Sequence, residues 1–176
     1  MRQQKQTIKR DKTAEQALAS LMRLCARAER SSGDAMRLMG TWGVPTQERG
    51  AVLQRLIKER FIDDRRYAEA FVREKINLSA WGEYKIRTAL RRKGIADAIV
   101  AEALNAAPSA RDTSRLAERL ARKMKSIKYD TTYQLRTKLI RHGISLGFAT
   151  DDVVACVEEI TRNIEEPCDE AEFFPL

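Results

Sequence analysis

The stretch YKIRTALRRKGI at residues 84–95 is similar to the stretch YQLRTKLIRHGI at residues 133–144. Both stretches hold aliphatic residues four apart, the spacing that places side chains on one face of a helix. Both end in a glycine followed by isoleucine, which suits the left-handed position after a helix and the hydrophobic contact beside it. The same signal stands earlier in the chain at Gly43-Val44. The repeat predicts three equivalent short helices that end at Gly43, Gly94 and Gly143.

Apolar residues three and four apart also flank each short helix, and strand signals are nearly absent. A long helix is predicted before each short one, at about residues 14–30, 64–79 and 112–128. A third helix is predicted after each, at about residues 46–60, 97–106 and 151–163. The sequence therefore predicts an all-α fold of three tandem three-helix repeats that form an elongated, curved array.

Two segments at the ends of the chain do not fit the repeats. Residues 1–13 form a basic N-terminal arm, and residues 164–176 form an acidic C-terminal tail. The stretch around Pro108 separates the second and third repeats, because proline does not continue a helix. The predicted three-helix repeats occupy residues 14–61, 62–107 and 108–163.

Charge is divided unevenly along the chain. Residues 151–176 carry nine acids and one base, a net charge of −8, although the whole chain has a net charge of +8. Residues 1–150 therefore carry a net charge of +16. A basic surface of this size attracts polyanions, nucleic acid above all, although positive charge also serves solubility. We expect a nucleic-acid partner and an acidic tail that screens the basic surface, which truncation after Ile160 would test.

Few residues are suited to catalysis or metal binding. His142 is the only histidine, and Cys25, Cys156 and Cys168 are far apart and form no paired motif. The sequence has no phosphate-binding glycine loop and no nucleophile beside a base. We therefore expect no enzymatic activity, no metal site and no cofactor. The polar start of the chain and the lack of a long apolar run predict a cytoplasmic protein without a membrane partner.

Basic residues of the second and third short helices are the candidate DNA-binding site. Lysine and arginine near a helix C-terminus also complement the helix dipole, so one such helix is weak evidence. Two such helices at equivalent positions of the repeat favour phosphate contacts. These contacts release counterions and do not depend on the base sequence. The first short helix has only Arg37 and is not expected to bind phosphate. The candidate residues are Lys85, Arg87, Arg91, Arg92 and Lys93 in the second repeat, with Arg136, Lys138 and Arg141 in the third.

Three aromatic residues, Trp81, Tyr84 and Tyr133, lie next to these basic residues in the sequence. Aromatic rings stack on unpaired bases, but they also fill cores and the interfaces between repeats. The packing role is the favoured interpretation here.

The acidic pair Asp63-Asp64 is the remaining candidate for chemistry. Two adjacent carboxylates could hold a metal or act in acid–base catalysis, but the sequence offers no convergent set of carboxylates around them. Aspartate before a helix commonly caps its first backbone N–H groups, and capping is the favoured interpretation.

The run FIDDRRYAEAFVR at residues 61–73, followed by Trp81-Gly82 and a basic helix ending in KGI at residues 93–95, resembles the central block of the RecX family. Residues 26–31, ARAERS, resemble that family's first-repeat motif. The resemblance covers roughly residues 14–160. It implies three three-helix repeats that bind DNA and the groove of the RecA–DNA filament and suppress strand exchange, ATP turnover and co-protease activity. By position, the family's basic second-helix residues correspond to Lys85, Arg87, Arg91, Arg92 and Lys93.

Three functional hypotheses follow. The leading one is a monomeric regulator of DNA repair and the SOS response, which binds RecA, the RecA–DNA filament and single- and double-stranded DNA, and inhibits the recombinase, ATPase and co-protease activities of RecA. The alternative is a general DNA- or RNA-binding helical repeat protein without a RecA partner. The least supported is a nucleic-acid-processing enzyme, which would need Asp63, Asp64 and Glu69.

Overall fold

The computed structural model describes residues 11–107 and 112–164. Within these ranges the secondary structure consists of nine α-helices without a strand. The helices are α1 Ala14–Cys25, α2 Ser32–Thr41, α3 Thr46–Lys58, α4 Asp64–Ser79, α5 Glu83–Arg92, α6 Asp97–Asn105, α7 Thr113–Met124, α8 Thr132–Leu146 and α9 Thr150–Thr161. The predicted all-α fold, with three helices in each repeat, is confirmed. No helix in the described ranges has both the length and the apolar character that crossing a bilayer requires.

Most of the helix limits agree with the prediction within a few residues. The third helix of each repeat begins, as expected, at Thr46, Asp97 and Thr150. The prediction that the first helix extends to residue 30 is wrong, because α1 ends at Cys25. The reason lies at Ser31, which is fully buried and whose hydroxyl accepts a hydrogen bond from the backbone N–H of Asp34 at 3.1 Å. The chain leaves the helical path before Ser31 so that this residue can cap α2.

Glycine ends two of the short helices as predicted. Gly43 and Gly94 adopt left-handed backbone conformations, with φ of 74° and 76°. The prediction for Gly143 is wrong, because Gly143 lies inside α8 and the helix ends instead at Gly147, with φ of 91°.

Packing against α9 explains the different use of Gly143. A Cβ atom at this position would lie 2.6 Å from Cγ1 of Val153, so only glycine permits the two helices to approach this closely. Because α8 continues past Gly143, Ile144 is 45% exposed. Phe148, which follows the terminal glycine of α8, is buried in its place.

The chain divides into two compact units, and the division passes through α4 and α5. Of the described residues, the first unit contains 11–72 and 87–106, and the second contains 73–86, 107 and 112–164. The three repeats are therefore distributed over two units, and their boundaries stay a prediction.

The first unit is built around α1, α2 and α3. Ser31 donates its hydroxyl hydrogen to the carbonyl oxygen of Lys93 at 2.8 Å, which attaches the end of α5 to the start of α2. The backbone N–H of Ser32 donates to Oδ1 of Asp64 at 2.8 Å, which attaches the start of α4 to the same place. One cluster of its buried residues consists of Ala17, Leu18, Leu21, Ala35, Met39, Val44, Val52, Leu56 and Ile62.

The second unit is built around α7, α8 and α9. The backbone N–H of Gly82 donates to the carbonyl oxygen of Leu146 at 2.8 Å, and that of Tyr84 donates to the carbonyl oxygen of Gly147 at 3.0 Å. These two bonds attach the start of α5 to the end of α8. One cluster of its buried residues consists of Leu116, Leu120, Leu135, Leu139, Leu146, Phe148, Val153, Cys156 and Val157.

Of the acidic pair Asp63-Asp64, Asp63 caps α4 as predicted, whereas Asp64 acts on a different helix. Oδ1 of Asp63 accepts hydrogen bonds from the backbone N–H groups of Arg65 and Arg66, both at 3.0 Å. Asp64 serves as a cap for α2 through Ser32. In the part of the chain that the structure describes, no group of three His, Cys, Asp or Glu side chains is placed to hold a metal ion.

Three predicted features fall, wholly or in large part, outside the described residues. They are residues 1–10 of the basic arm, the linker proline Pro108, and residues 165–176 of the acidic tail with Cys168.

Candidate nucleic-acid interface

In the first unit, α5 and the residue after it carry four of the eight predicted site residues, Arg87, Arg91, Arg92 and Lys93. Leu90 is fully buried, whereas Arg91 and Arg92 are exposed and Arg87 is half-buried. Nε of Arg91 lies 2.6 Å from Oδ1 of Asp97, and both side chains are more than half exposed. An ion pair between exposed side chains contributes at most about 1 kcal/mol. A phosphate group can therefore replace Asp97 at Arg91 at little cost.

Lys93 has a structural role that the sequence did not indicate. Its Nζ lies 2.9 Å from Oδ2 of Asp34, whose side chain is only 4% exposed. Arg37, the only base of α2, pairs with the same carboxylate. A buried carboxylate requires such partners, because an unpaired charge in the interior is strongly destabilising. Lys93 thus stabilises the packing of the first unit through this ion pair. Arg91 and Arg92 are the exposed cations at this end of α5.

In the second unit, Lys85 approaches an indole ring. Its Nζ lies 4.6 Å from the centroid of the Trp81 ring and donates to the carbonyl oxygen of Ser145 at 2.9 Å. Nζ of Lys75 also approaches this ring, at 5.5 Å. Cation–π contacts contribute about 0.5–1 kcal/mol each at exposed sites. They hold two ammonium groups around the half-buried Trp81.

The basic residues of α8 divide into two kinds. Lys138 and Arg141 are exposed, in keeping with the predicted phosphate contacts. Arg136 is half-buried, and its Nε donates to Oγ1 of the buried Thr161 at 2.9 Å, so it joins α8 to α9. The predicted buried stripe of this helix is confirmed at Leu135 and Leu139.

A positive cluster around His142 was missed by the sequence analysis. Burial lowers the pKa of His142, and the neighbouring charges of Lys123, Arg119 and Lys85 lower the pKa further. These four residues, here termed the His142 cluster, come from α7, α8 and the start of α5 in the second unit. The spacing of Arg115, Arg119 and Lys123, four residues apart on one face of α7, is the sequence signal that could have found it.

The two tyrosines contradict the packing role favoured for them. Tyr84 is the second residue of α5 and is 72% exposed, and Tyr133 is the second residue of α8 and is 78% exposed. Their register in the repeat was visible in the sequence. Their exposure depends on how each helix is rotated against its core, which the short apolar pattern does not determine at the first turn. Trp81, in contrast, is half-buried.

In each unit taken by itself, the exposed cations suit phosphate contacts that do not depend on base sequence. Guanidinium groups offer several donors to phosphate, and the four cations of α5 and α8 that are exposed bring this chemistry to the surface. Those four are Arg91, Arg92, Lys138 and Arg141.

Comparison with known families identifies one segment directly. Residues 63–104 match the family model described as RecX, second three-helix domain. A regulatory protein RecX from Bacillus cytotoxicus is 29% identical over 115 residues, which are 65% of this chain and 43% of that protein. A regulatory protein RecX from Bacillus mycoides is 28% identical over 109 residues, which are 62% of this chain and 40% of that protein. The chain thus spans about two fifths of the length of these relatives.

Two solved structures have a similar fold. RecX from Lactobacillus salivarius matches with a TM-score of 0.66 and 21% identity, over 85% of this chain and 97% of that chain. A second structure, of a regulatory protein RecX, matches with a TM-score of 0.73 and 21% identity, over 85% of this chain and 72% of that chain. Together with the family model, these matches confirm the predicted resemblance to the RecX family.

Proposed function

We propose that this chain, of which residues 63–104 match the second three-helix domain of the RecX family, regulates RecA in DNA repair and the SOS response. In this proposal it binds RecA and the RecA–DNA filament and inhibits the recombinase, ATPase and co-protease activities. It acts in the cytoplasm as a monomer, without catalysis and without a cofactor. It contacts single- and double-stranded DNA through its basic helices.

The position of the matched segment is the observation that carries this proposal. Residues 63–104 contain the whole of α5, with its basic residues. The relatives are named regulatory proteins, which supports a regulatory role over an enzymatic one.

The exposed cations supply the DNA-binding part of the proposal. Each phosphate that a lysine or arginine neutralises releases counterions, so affinity falls with salt concentration. When the logarithm of the binding constant is plotted against the logarithm of the salt concentration, each phosphate contact to duplex DNA changes the slope by about 0.9. Each contact to a single strand changes it by about 0.7. We assign these contacts to Arg91, Arg92, Lys138 and Arg141, with Lys85 and Arg87 beside them. We assign Lys93 and Arg136 to the positioning of the helices.

A titration of the purified chain into RecA on single-stranded DNA, with ATP hydrolysis as the readout, tests the proposal. The wild type should suppress turnover at a stoichiometric ratio. A variant with Arg92→Glu and Arg141→Glu should lose most of this effect, because both side chains are exposed and the reversed charges repel phosphate.

The matched control carries Lys58→Glu and Arg162→Glu. These positions are also exposed, lie outside α5 and α8, and produce the same net charge as the test variant. The control should suppress turnover as the wild type does. If both variants lose suppression equally, net charge and not these two helices is responsible.

The same titration separates the leading function from the alternative. Unchanged ATP hydrolysis at saturating wild-type protein would refute the RecA assignment. If such a protein still binds bare DNA, the chain is the general DNA- or RNA-binding helical repeat protein without a RecA partner.

A further inference from the structure

Tyr84 and Tyr133 occupy the same position of the repeat, and both rings are exposed, by 72% and 78%. Both belong to the second unit. A single exposed aromatic ring is unremarkable in a folded protein. The same exposure at equivalent positions of two basic helices is not accounted for by core packing, and it points to a ligand that covers the rings.

The backbone beneath each ring is held in place. The N–H of Tyr84 donates to the carbonyl oxygen of Gly147 at 3.0 Å. Next to Tyr133, the N–H of Gln134 donates to Oγ1 of the capping residue Thr131 at 3.2 Å. Each tyrosine thus projects from a fixed first turn of a helix. Its position is set before a ligand arrives, which lowers the entropic cost of binding.

The helix that carries each ring also carries positive charge. Lys85 follows Tyr84 directly, with its Nζ bonded to Ser145. On α8, the exposed Lys138 and Arg141 follow Tyr133 in the sequence. A ligand that offers flat π-faces together with negative charge matches this surface. Single-stranded nucleic acid does so, whereas in a duplex the faces of the bases are already stacked on one another.

We propose that Tyr84 and Tyr133 are two stacking sites for the unpaired bases of single-stranded nucleic acid. The inference rests on the DNA-binding part of the proposed function and specifies its ligand. The two positions lie about 20 Å apart along α8, since Tyr84 is bonded to its C-terminal end, Tyr133 lies at its start, and a helix rises about 1.5 Å per residue. One base cannot reach both rings, so the two sites contribute separately.

Two DNA strands of equal length and phosphate charge test this proposal by fluorescence anisotropy. One is a deoxythymidine oligonucleotide, and the other has the same backbone with abasic sites. The wild type should bind the thymidine strand about 100-fold more tightly, from two stacking contacts of about tenfold each. The variant with Tyr84→Ala and Tyr133→Ala should bind both strands with the affinity that the wild type shows for the abasic strand.

Two controls separate stacking from an effect on the fold. The variant with Tyr84→Phe and Tyr133→Phe keeps the ring faces and should keep the preference for the thymidine strand. The alanine variant should bind duplex DNA as the wild type does, and because alanine is the best helix former it should give an unchanged circular dichroism spectrum.

The outcomes distinguish this inference from the proposed function. Equal affinity of the wild type for the two strands, or an equal loss for both strands in the alanine variant, would overturn the stacking sites and leave charge-based DNA binding intact. A wild type that binds neither strand would refute the DNA-binding part of the proposed function, and the stacking sites with it.

Discussion

Lys93 and Arg92 are neighbours in the sequence but differ in what they contact. Lys93 pairs with the buried Asp34, whereas Arg92 is exposed. Lys93→Ala should lower the free energy of unfolding by about 1–3 kcal/mol, because it leaves a buried carboxylate with Arg37 as its remaining ion-pair partner. Arg92→Ala should change the free energy of unfolding by less than about 0.5 kcal/mol. Urea unfolding measures both, and equal effects would contradict the structural role of Lys93.

Two glycines within helices provide a second contrast. Gly143→Ala should destabilise the fold by about 1–3 kcal/mol, because the added Cβ would lie 2.6 Å from Cγ1 of Val153. Gly50, within α3, has no heavy atom within 4 Å of an added Cβ. Gly50→Ala should therefore stabilise the fold by about 0.5–1 kcal/mol, since alanine favours the helix. Thermal unfolding should show Tm shifts of opposite sign, and an increase for Gly143→Ala would show that α8 and α9 are not in close contact there.

The contacts between helices that the sequence did not predict are those between residues far apart in the chain. The starts of α3, α6 and α9 were predictable, because acidic residues in a first turn are a local signal. The end of α8 was not, because Gly143 and Gly147 both satisfy the local pattern and the choice depends on packing against Val153. The pairing of Lys93 with Asp34 spans 59 residues, so no local pattern distinguishes this lysine from the exposed cations beside it.

The His142 cluster joins α7, α8 and the start of α5, and it predicts a pH dependence. Because the folded-state pKa of His142 is lowered, the unfolded chain binds the proton more readily. The contribution of His142 to the free energy of unfolding is fully present above the pKa of His142 in the unfolded chain, about 6.5. This contribution is lost as the pH falls from there toward the pKa of His142 in the folded chain. Lys123→Gln removes one of the neighbouring charges and should raise the pKa of His142 toward its usual value.

A proton NMR titration can follow this change without assignment, because His142 is the only histidine in the chain. Lys58→Gln removes the same charge from α3 in the first unit and should leave the pKa of His142 unchanged. If both variants shift it equally, the net charge of the chain and not the cluster sets the pKa.

For the whole molecule, the division of charge raises the question of what the acidic tail does. Residues 165–176 carry five acids and no base, and they follow a body of strongly positive charge. Truncation after Ile160, the test suggested by the sequence, would also remove Thr161. Thr161 accepts the hydrogen bond from Arg136, so that truncation would disturb α8 and α9 as well. Truncation after Ile164 leaves α9 complete and isolates the charge.

Truncation after Ile164 should tighten binding to DNA on the order of tenfold at low salt, because the deleted acids repel phosphate and compete for the basic side chains. At about 1 M salt the screening length falls to about 3 Å, and the difference from the wild type should disappear. A full-length variant with the five acids changed to Gln or Asn keeps the length of the tail and should reproduce the gain. If only the truncation tightens binding, the tail acts by covering the surface and not by its charge. If neither does, the positive surface binds DNA independently of the tail.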